Sequence, residues 1–297
     1  MRIAVTGSRG FLGSALASFL AQQHHEVVRV VRSGAAAGDI VWDPAAGRVP
    51  SGAFDGVDGV VHLAGESLAG RWTPAKKAAI HDSRLRGTRA LSDALAGAPR
   101  RPRVLVCASA VGYYGNRGGE ILTEHSMPGT GFLADVCQAW EAAADPARQA
   151  GIRVVSLRIG VVLSPKGGAL AKLLTPFQLG LGGVVGDGRQ YWSWIALDDV
   201  IGAMDRALMH QALAGPVNVV APSPATNREF TATLGRVLGR PTMVPLPAFA
   251  ARLMLGEFAD EALLASARVQ PSVLVGSGYR FRYPDLESAL RHVLSRG

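Results

Sequence analysis

Three features of the sequence predict an α/β fold built on a doubly wound parallel sheet. Short β-branched runs alternate with helix-length segments from the first residues onward. These runs are apolar on both faces, as strands covered by helices on each side must be. A glycine-rich turn joins the first run to the first helical segment, where a βα unit needs its sharpest bend.

In order, Arg2 to Thr6 reads as a buried strand and Phe11 to Gln23 as an amphipathic helix. Glu26 to Arg32, Gly59 to Leu63 and Arg103 to Ala108 supply the second, third and fourth strands. Thr73 to Leu95 has helical periodicity and opens with Thr73 as N-cap and Pro74 at N1, where a missing amide hydrogen costs nothing. A long helix from about Gly131 to Gln149 leads to a strand at Arg153 to Leu157. After about residue 160 the texture changes: Gly167-Gly168 and the stretch 180–188 are loop-rich, and the cluster Tyr191, Trp192, Ser193, Trp194 follows. Asp198, read as an N-cap, opens a helix to about His210, and residues 215–221 read as a strand. Several short helices follow Pro245 and Pro247. With no repeat or low-complexity linker, the chain divides into a main unit (1–220) and a small α-rich C-terminal lobe (246–294) expected to pack on it.

The chain has 297 residues, 48% hydrophobic and 18% charged, which suits a globular enzyme with a sizeable core. Cys107 and Cys137 show no metal-ligand spacing, so no metal site or disulfide framework is expected, and a reducing, cytoplasmic location is. No apolar run reaches the ~18 residues of a membrane span, and the N-terminus lacks a signal-peptide pattern. The net charge of +8 raises a nucleic-acid partner. The densest basic stretch, Arg100-Arg101-Pro102-Arg103, is too short for a polybasic arm and carries no stacking platform. The expected partner is therefore a small molecule, with neither nucleic acid nor membrane, and a homodimer is the assembly to test for.

The turn Gly7-Ser8-Arg9-Gly10-Phe11-Leu12-Gly13 has the spacing of a dinucleotide fingerprint, in the strand–turn–helix context that the fingerprint requires. Gly7 allows the sharp turn, Gly10 leaves room for a pyrophosphate, and Gly13 lets the helix approach the sheet. Free amides and the dipole at the helix N-terminus favour the diphosphate. An NAD site usually carries an acidic residue about 20 residues further on. Arg32-Ser33 stands there instead, with Arg9 in the turn, and these groups suit a 2′-phosphate. The expected cofactor is NADP(H), bound by a Rossmann-type unit. Leu63-Ala64-Gly65 offers small residues and backbone amides beside the adenosine half, and Arg84 lies one layer from the phosphates.

The turn and the following His62-Leu63-Ala64-Gly65-Glu66 resemble the extended short-chain dehydrogenase/reductases. Arg71-Trp72, Ser83-Arg84 with Thr88, residues 109–115, Cys137 with Trp140-Glu141, residues 157–163, and Trp194-Ile195 before Asp198-Asp199 narrow the likeness. They resemble the atypical "epimerase family" branch, NAD-dependent epimerase/dehydratase-like, with a C-terminal domain of unknown function from about Leu246. The resemblance implies NADP(H) and a substrate-side lobe. It also implies a Ser/Thr, a proton-transferring Tyr and a Lys four residues beyond it, which lowers the Tyr pKa and holds the nicotinamide ribose. No Tyr-x-x-x-Lys occurs in this chain. Ala110 falls at the Ser/Thr position, Leu133 at the Tyr and Cys137 at the Lys.

Candidate replacements are Tyr113 and Tyr114, just past the fourth strand, with Arg84 or Arg158 lowering a phenol pKa, and Ser109 as the nearest hydroxyl. Glu66 and Glu124 are candidate acids and Cys137 a candidate thiol, whereas His62 reads as a packed histidine. Two functions are compatible with these residues. One is an NADP(H)-dependent oxidoreductase or epimerase on a small polar substrate. The other is a catalytically silent NADP(H)-binding protein that senses cofactor state and regulates a partner.

Overall fold

In the computed structural model, which describes residues 1–295, seven parallel strands form the central sheet. They are β1 (Arg2–Thr6), β2 (Glu26–Val31), β3 (Ile40–Val41), β4 (Gly59–His62), β5 (Val104–Ala110), β7 (Arg153–Ile159) and β11 (Gly215–Val219). Their order across the sheet is β11-β7-β5-β4-β1-β2-β3. The chain winds outward from β1 through β2 to β3, then returns to β4 and winds the other way. A crevice therefore opens at the carboxyl ends of β1 and β4, where open α/β sheets bind ligands.

Helices cover both faces. On one, α1 (Phe11–Gln22) and α6 (Leu197–Met209) bury Leu16, Leu20, Val200 and Met204 against Ile3, Val5, Val61 and Val106. Each such aliphatic side chain contributes about 1.5–3 kcal/mol by leaving water. On the other, α2 (Pro74–Ala96) brings Leu91 and Leu95 onto Val60, Leu105 and Val154, joined by Trp42, Phe54 and Val57 from the loop between β3 and β4. Thr73 accepts from the Lys76 amide and Pro74 occupies the first turn, as expected from the sequence.

Three expectations change. The 131–149 helix is two, α3 (Phe132–Ala142) and α4 (Asp145–Gln149), because Pro146 has no amide hydrogen to continue the α3 ladder and sits instead in the first turn of α4, where none is needed. Asp198 is not the cap of α6. Ala196 holds that position in extended backbone, and the Asp198 carboxylate accepts from His292 Nε2 at 2.8 Å. The edge strand β3 gave no sequence signal, since only two residues pair with β2.

The later chain threads back across this frame. Ile121–Leu122 (β6) pairs with Arg268–Val269 (β13), and Val161–Leu163 (β8) pairs with Trp194–Ala196 (β10). Tyr191–Trp192 (β9) pairs with Ala225–Thr226 (β12). The helices α5 (Gly168–Gln178), α7 (Asn227–Leu238), α8 (Ala248–Leu255), α9 (Ser272–Gly276) and α10 (Leu286–Ser295) complete the chain. Ala289, Leu290 and Val293 of α10 share a core with Trp194, Phe230 and Leu234, so the C-terminal segment is built into the same body. Among the described residues, no helix is long and apolar enough to cross a membrane.

Candidate functional site

The turn after β1 has the shape the sequence requires. Gly7 adopts φ +65, and a Cβ there would meet the Leu63 carbonyl carbon at 2.9 Å. A Cβ on Gly13 would lie 2.1 Å from the Gly7 oxygen, so only glycine lets α1 pack this closely. Among the described residues no side chain caps the α1 N-terminus, whose N-cap is Gly10. Ser8 is 5% exposed, and its Oγ has no hydrogen-bond partner among the described residues. An open helix N-terminus beside an orphaned hydroxyl suits a diphosphate. Phe11 and Leu12 begin the helix, and the Phe11 ring lies under Gly167, where a Cβ would meet it at 2.7 Å.

Arg9 reaches from this turn to the end of β2. Its Nη1 donates to the Ser33 carbonyl at 2.9 Å, and its Nη2 donates to that of Gly34. Arg32 and Ser33 are exposed beside it. Arg9 thus ties the glycine turn to the segment that carries Arg32 and Ser33 at the end of β2.

Across the crevice, residues 63–65 line up differently from expectation. The amides of Leu63 and Ala64 do not face the crevice; both donate to Thr6 Oγ1, at 3.1 and 3.2 Å. Leu63 and Ala64 therefore turn side chains, not amides, toward a ligand. Thr6 Oγ1 also lies 2.7 Å from His62 Nδ1, and His62 Nε2 lies 3.0 Å from Thr88 Oγ1. Burial pushes the His62 pKa down to about 4, so the ring is neutral, accepting from Thr6 and donating to Thr88. The packed-histidine reading therefore agrees with the geometry.

A cavity of about 220 Å³ lies beyond, at the ends of β5 and β7. Its floor is Ala110, Gly112, Ile159 and Gly160, and α3 turns Leu133, Cys137 and Trp140 into it. Gly160 is obligatory, because a Cβ there would sit 2.3 Å from the Ser193 oxygen. Arg84 of α2 enters from the cofactor side, 9% exposed. Its Nη1 donates to the carbonyls of Glu66 at 3.0 Å and Ile80 at 3.2 Å. Its guanidinium rests 4.9 Å from the Trp140 ring. Burial lowers the Arg84 pKa and raises that of Cys137 to about 12, so a neutral thiol faces a cation. The far wall comes from Tyr191, Trp192, Ser193 and the C-terminal residues Glu261, Ala262, Ala265 and Ala267.

Ser109, Tyr113 and Tyr114 are brought together, but in a buried network beneath this cavity. Arg158 pairs with Glu141 through Nε at 2.8 Å and Nη2 at 2.9 Å, and Ser109 donates to the same carboxylate at 2.7 Å. Arg158 Nη1 donates to Tyr114 Oη at 3.0 Å, and its guanidinium lies 3.4 Å from the centre of the Tyr113 ring. Tyr114 is fully buried, with Asn218 Oδ1 at 2.7 Å and the Thr123 carbonyl at 2.9 Å from its hydroxyl. Arg158 does touch this phenol, but burial outweighs it and the Tyr114 pKa rises instead of falling. The two candidate acids are also engaged. Glu66 accepts from Lys76 at 2.6 Å, which holds its pKa below the usual carboxylate range. Glu124 Oε1 accepts from the amides of Asn218 at 3.0 Å and Val273 at 3.2 Å.

The polar groups that do face the cavity include three to which sequence reasoning gave no role there: Tyr191, Ser193 and Glu261. Ser193 donates to the Ala267 carbonyl at 2.7 Å. Glu261 Oε2 accepts from the Leu133 amide at 3.1 Å, which places the carboxylate at the N-terminus of α3. The aromatic cluster was visible in the sequence. Glu261 was not, because 128 residues separate it from its partner and no local pattern marks it.

A glycine turn at the switch point of a parallel sheet, with a walled cavity beyond it, defines a Rossmann-type nucleotide-binding protein. Residues 3–220 match the NAD dependent epimerase/dehydratase family, and residues 246–293 match a domain of unknown function (DUF1731). The chain belongs to that epimerase/dehydratase family. An "epimerase family protein" of Mycobacterium bovis is 44% identical over 296 residues, covering 99% of this chain and 98% of the relative. The crystal structure of human epimerase family protein SDR39U1 (isoform 2) with NADPH superposes with a TM-score of 0.91 at 36% identity, covering 99% of each chain. A nucleoside-diphosphate sugar epimerase from Corynebacterium glutamicum gives a TM-score of 0.83 at 38% identity, covering all of this chain and 58% of the other.

Proposed function

We propose that this protein binds NADP(H) and uses it as an oxidoreductase or epimerase on a small polar substrate held in the cavity at the ends of β5 and β7. The observation that carries the reading is the continuity of the site. The basic rim at Arg9, Arg32 and Ser33, the open α1 N-terminus with Ser8, and the cavity follow one another along the carboxyl edge of the sheet. The human relative crystallised with NADPH supports the same cofactor. When bound, NADP(H) supplies or accepts a hydride at its nicotinamide.

Arg9, Arg32 and Ser33 hold the 2′-phosphate, and the turn at 7–13 binds the diphosphate. Residues 63–65 give the adenosine half a smooth wall. The proton that accompanies hydride transfer passes through a group facing the cavity. Cys137, with its thiol pKa near 12, is a poor base, and Arg84 stays cationic. Tyr191 and Glu261 remain as the acid–base candidates, in place of Ser109, Tyr113 and Tyr114. With both cysteines buried and unpaired, a reducing cytoplasm suits the protein.

Titration with NADPH and NADH tests the cofactor. Replacing Arg32 with Asp removes a charge-assisted bond and adds repulsion, so NADPH should bind at least ~10-fold more weakly, with NADH little changed. Equal loss for both cofactors would overturn the 2′-phosphate site.

A further inference from the structure

In the proteins this chain resembles, the lysine on the helix corresponding to α3 has two tasks: it lowers the pKa of the catalytic phenol and holds the nicotinamide ribose. Here Leu133 and Cys137 stand on α3 at those two positions, and both line the cavity. With no phenol at 133, the first task has no object. The second still needs N–H donors at the same place.

Arg84 arrives there from a different helix. Its guanidinium lies within electrostatic reach of the Cys137 thiol and 3.5 Å from where a Gly65 Cβ would stand. Both Nη1 hydrogens are taken, by the Glu66 and Ile80 carbonyls, and the Trp140 ring supports the fork. The fork therefore has one orientation. Its Nε and Nη2 make no hydrogen bond to the protein among the described residues, although the side chain is nine-tenths buried and lines the cavity. Among the described residues no carboxylate forms an ion pair with it; Glu66, whose charge acts on it, is held by Lys76. A buried guanidinium without a carboxylate partner is costly unless something oxygen-rich meets its free donors.

We propose that Arg84 takes over the ribose-holding task of the missing lysine, its free N–H groups donating to the cis-diol of the nicotinamide ribose. It is a positioning residue: it orients the nicotinamide over the cavity and transfers no proton itself. The idea rests on the NADP(H) reading above and adds to it a specific contact, made by an arginine from α2 in place of a lysine from α3.

Calorimetric titration with three probes tests it without any substrate. NADPH carries both the nicotinamide and its ribose, ADP-ribose 2′-phosphate carries the ribose alone, and adenosine 2′,5′-bisphosphate carries neither. Arg84→Ala should weaken the first two alike, by about 10- to 100-fold for a lost charged hydrogen-bonding group, and leave the third within about twofold. Equal loss on all three overturns the proposal, because Arg84 would then act through the 63–66 segment. Loss on NADPH alone also overturns it, placing the contact on the nicotinamide ring, and so does no loss on any probe. If Arg84→Ala does not fold, Arg84→Lys should give the same pattern with a smaller loss. Failure of the unaltered protein to bind NADPH would instead sink the underlying cofactor reading, and is distinguishable because it precedes any substitution.

Discussion

His62 shows how one buried residue couples the crevice to pH. It is wholly buried between Thr6 and Thr88, with its ring edge-on to Trp42 at 5.9 Å. Its folded pKa, about 4, lies below the unfolded value near 6.5. The unfolded chain therefore binds the extra proton first as pH falls. Stability contributed by the neutral ring is fully present above about pH 6.5 and is lost progressively down to about pH 4. A shift of this size corresponds to roughly 3 kcal/mol. Chemical denaturation between pH 7 and 4 should show that decline, and His62→Gln should flatten it over the same interval; an unchanged slope would rule out His62 as its source. Residues of this kind set the limit of sequence reading. Gly7, Gly13 and Arg9 were legible because backbone geometry and charge act locally. The roles of Ser109 and Tyr114 were not, because a hydroxyl after a strand looks the same whether it meets a ligand or a buried carboxamide such as Asn218.

At the scale of elements, α3 depends on the C-terminal lobe. Its N-cap Gly131 has φ +108 and a Cβ there would lie 2.4 Å from Glu261 Oε1. Glu261 caps the helix that carries Leu133 and Cys137. Gly131→Ala should cost about 1–3 kcal/mol from backbone strain, beyond the displacement of the carboxylate. A fall in Tm of several degrees, accompanied by lower NADPH affinity, is the expected result; a stable variant with altered affinity alone would show that the contact is not structural. Glu261→Gln keeps an acceptor for the Leu133 amide and should preserve Tm, which separates capping from any proton transfer. Periodicity revealed α1, α2 and every strand of the sheet but β3. It joined α3 to α4 because both lie in an alanine-rich stretch and the break rests on the single residue Pro146.

For the molecule as a whole, Asp199 of α6 fastens the last segment to that helix. It is fully buried and accepts from the Tyr279 hydroxyl at 3.1 Å and from the amides of Arg282 at 2.9 Å and Tyr283 at 3.0 Å. Asp199→Ala removes every one of those acceptors and should destabilise docking by at least about 3 kcal/mol, since bonds to a charged group are each worth about 1.5–3 kcal/mol. Hydrogen exchange should accelerate first in residues 272–295, with β1, β4 and β5 still protected. Uniform acceleration along the chain would mean that the segment and the sheet open as one unit. The sequence predicted that this part packs on the main unit, yet no local pattern could say that it supplies a wall of the cavity.

That arrangement bears on biosynthesis. The glycine turn and the basic rim lie among the first forty residues, whereas Glu261, Ala265 and Ala267 of the cavity wall are synthesised much later. A nascent or prematurely terminated chain can thus assemble the nucleotide half while Trp194, Phe230 and Leu234 still lack the helix that covers them. Such a product would bind adenosine phosphates yet expose a sticky apolar surface, making it a substrate for chaperones and proteases. Only a polypeptide that extends through Ala267 completes the wall of the cavity.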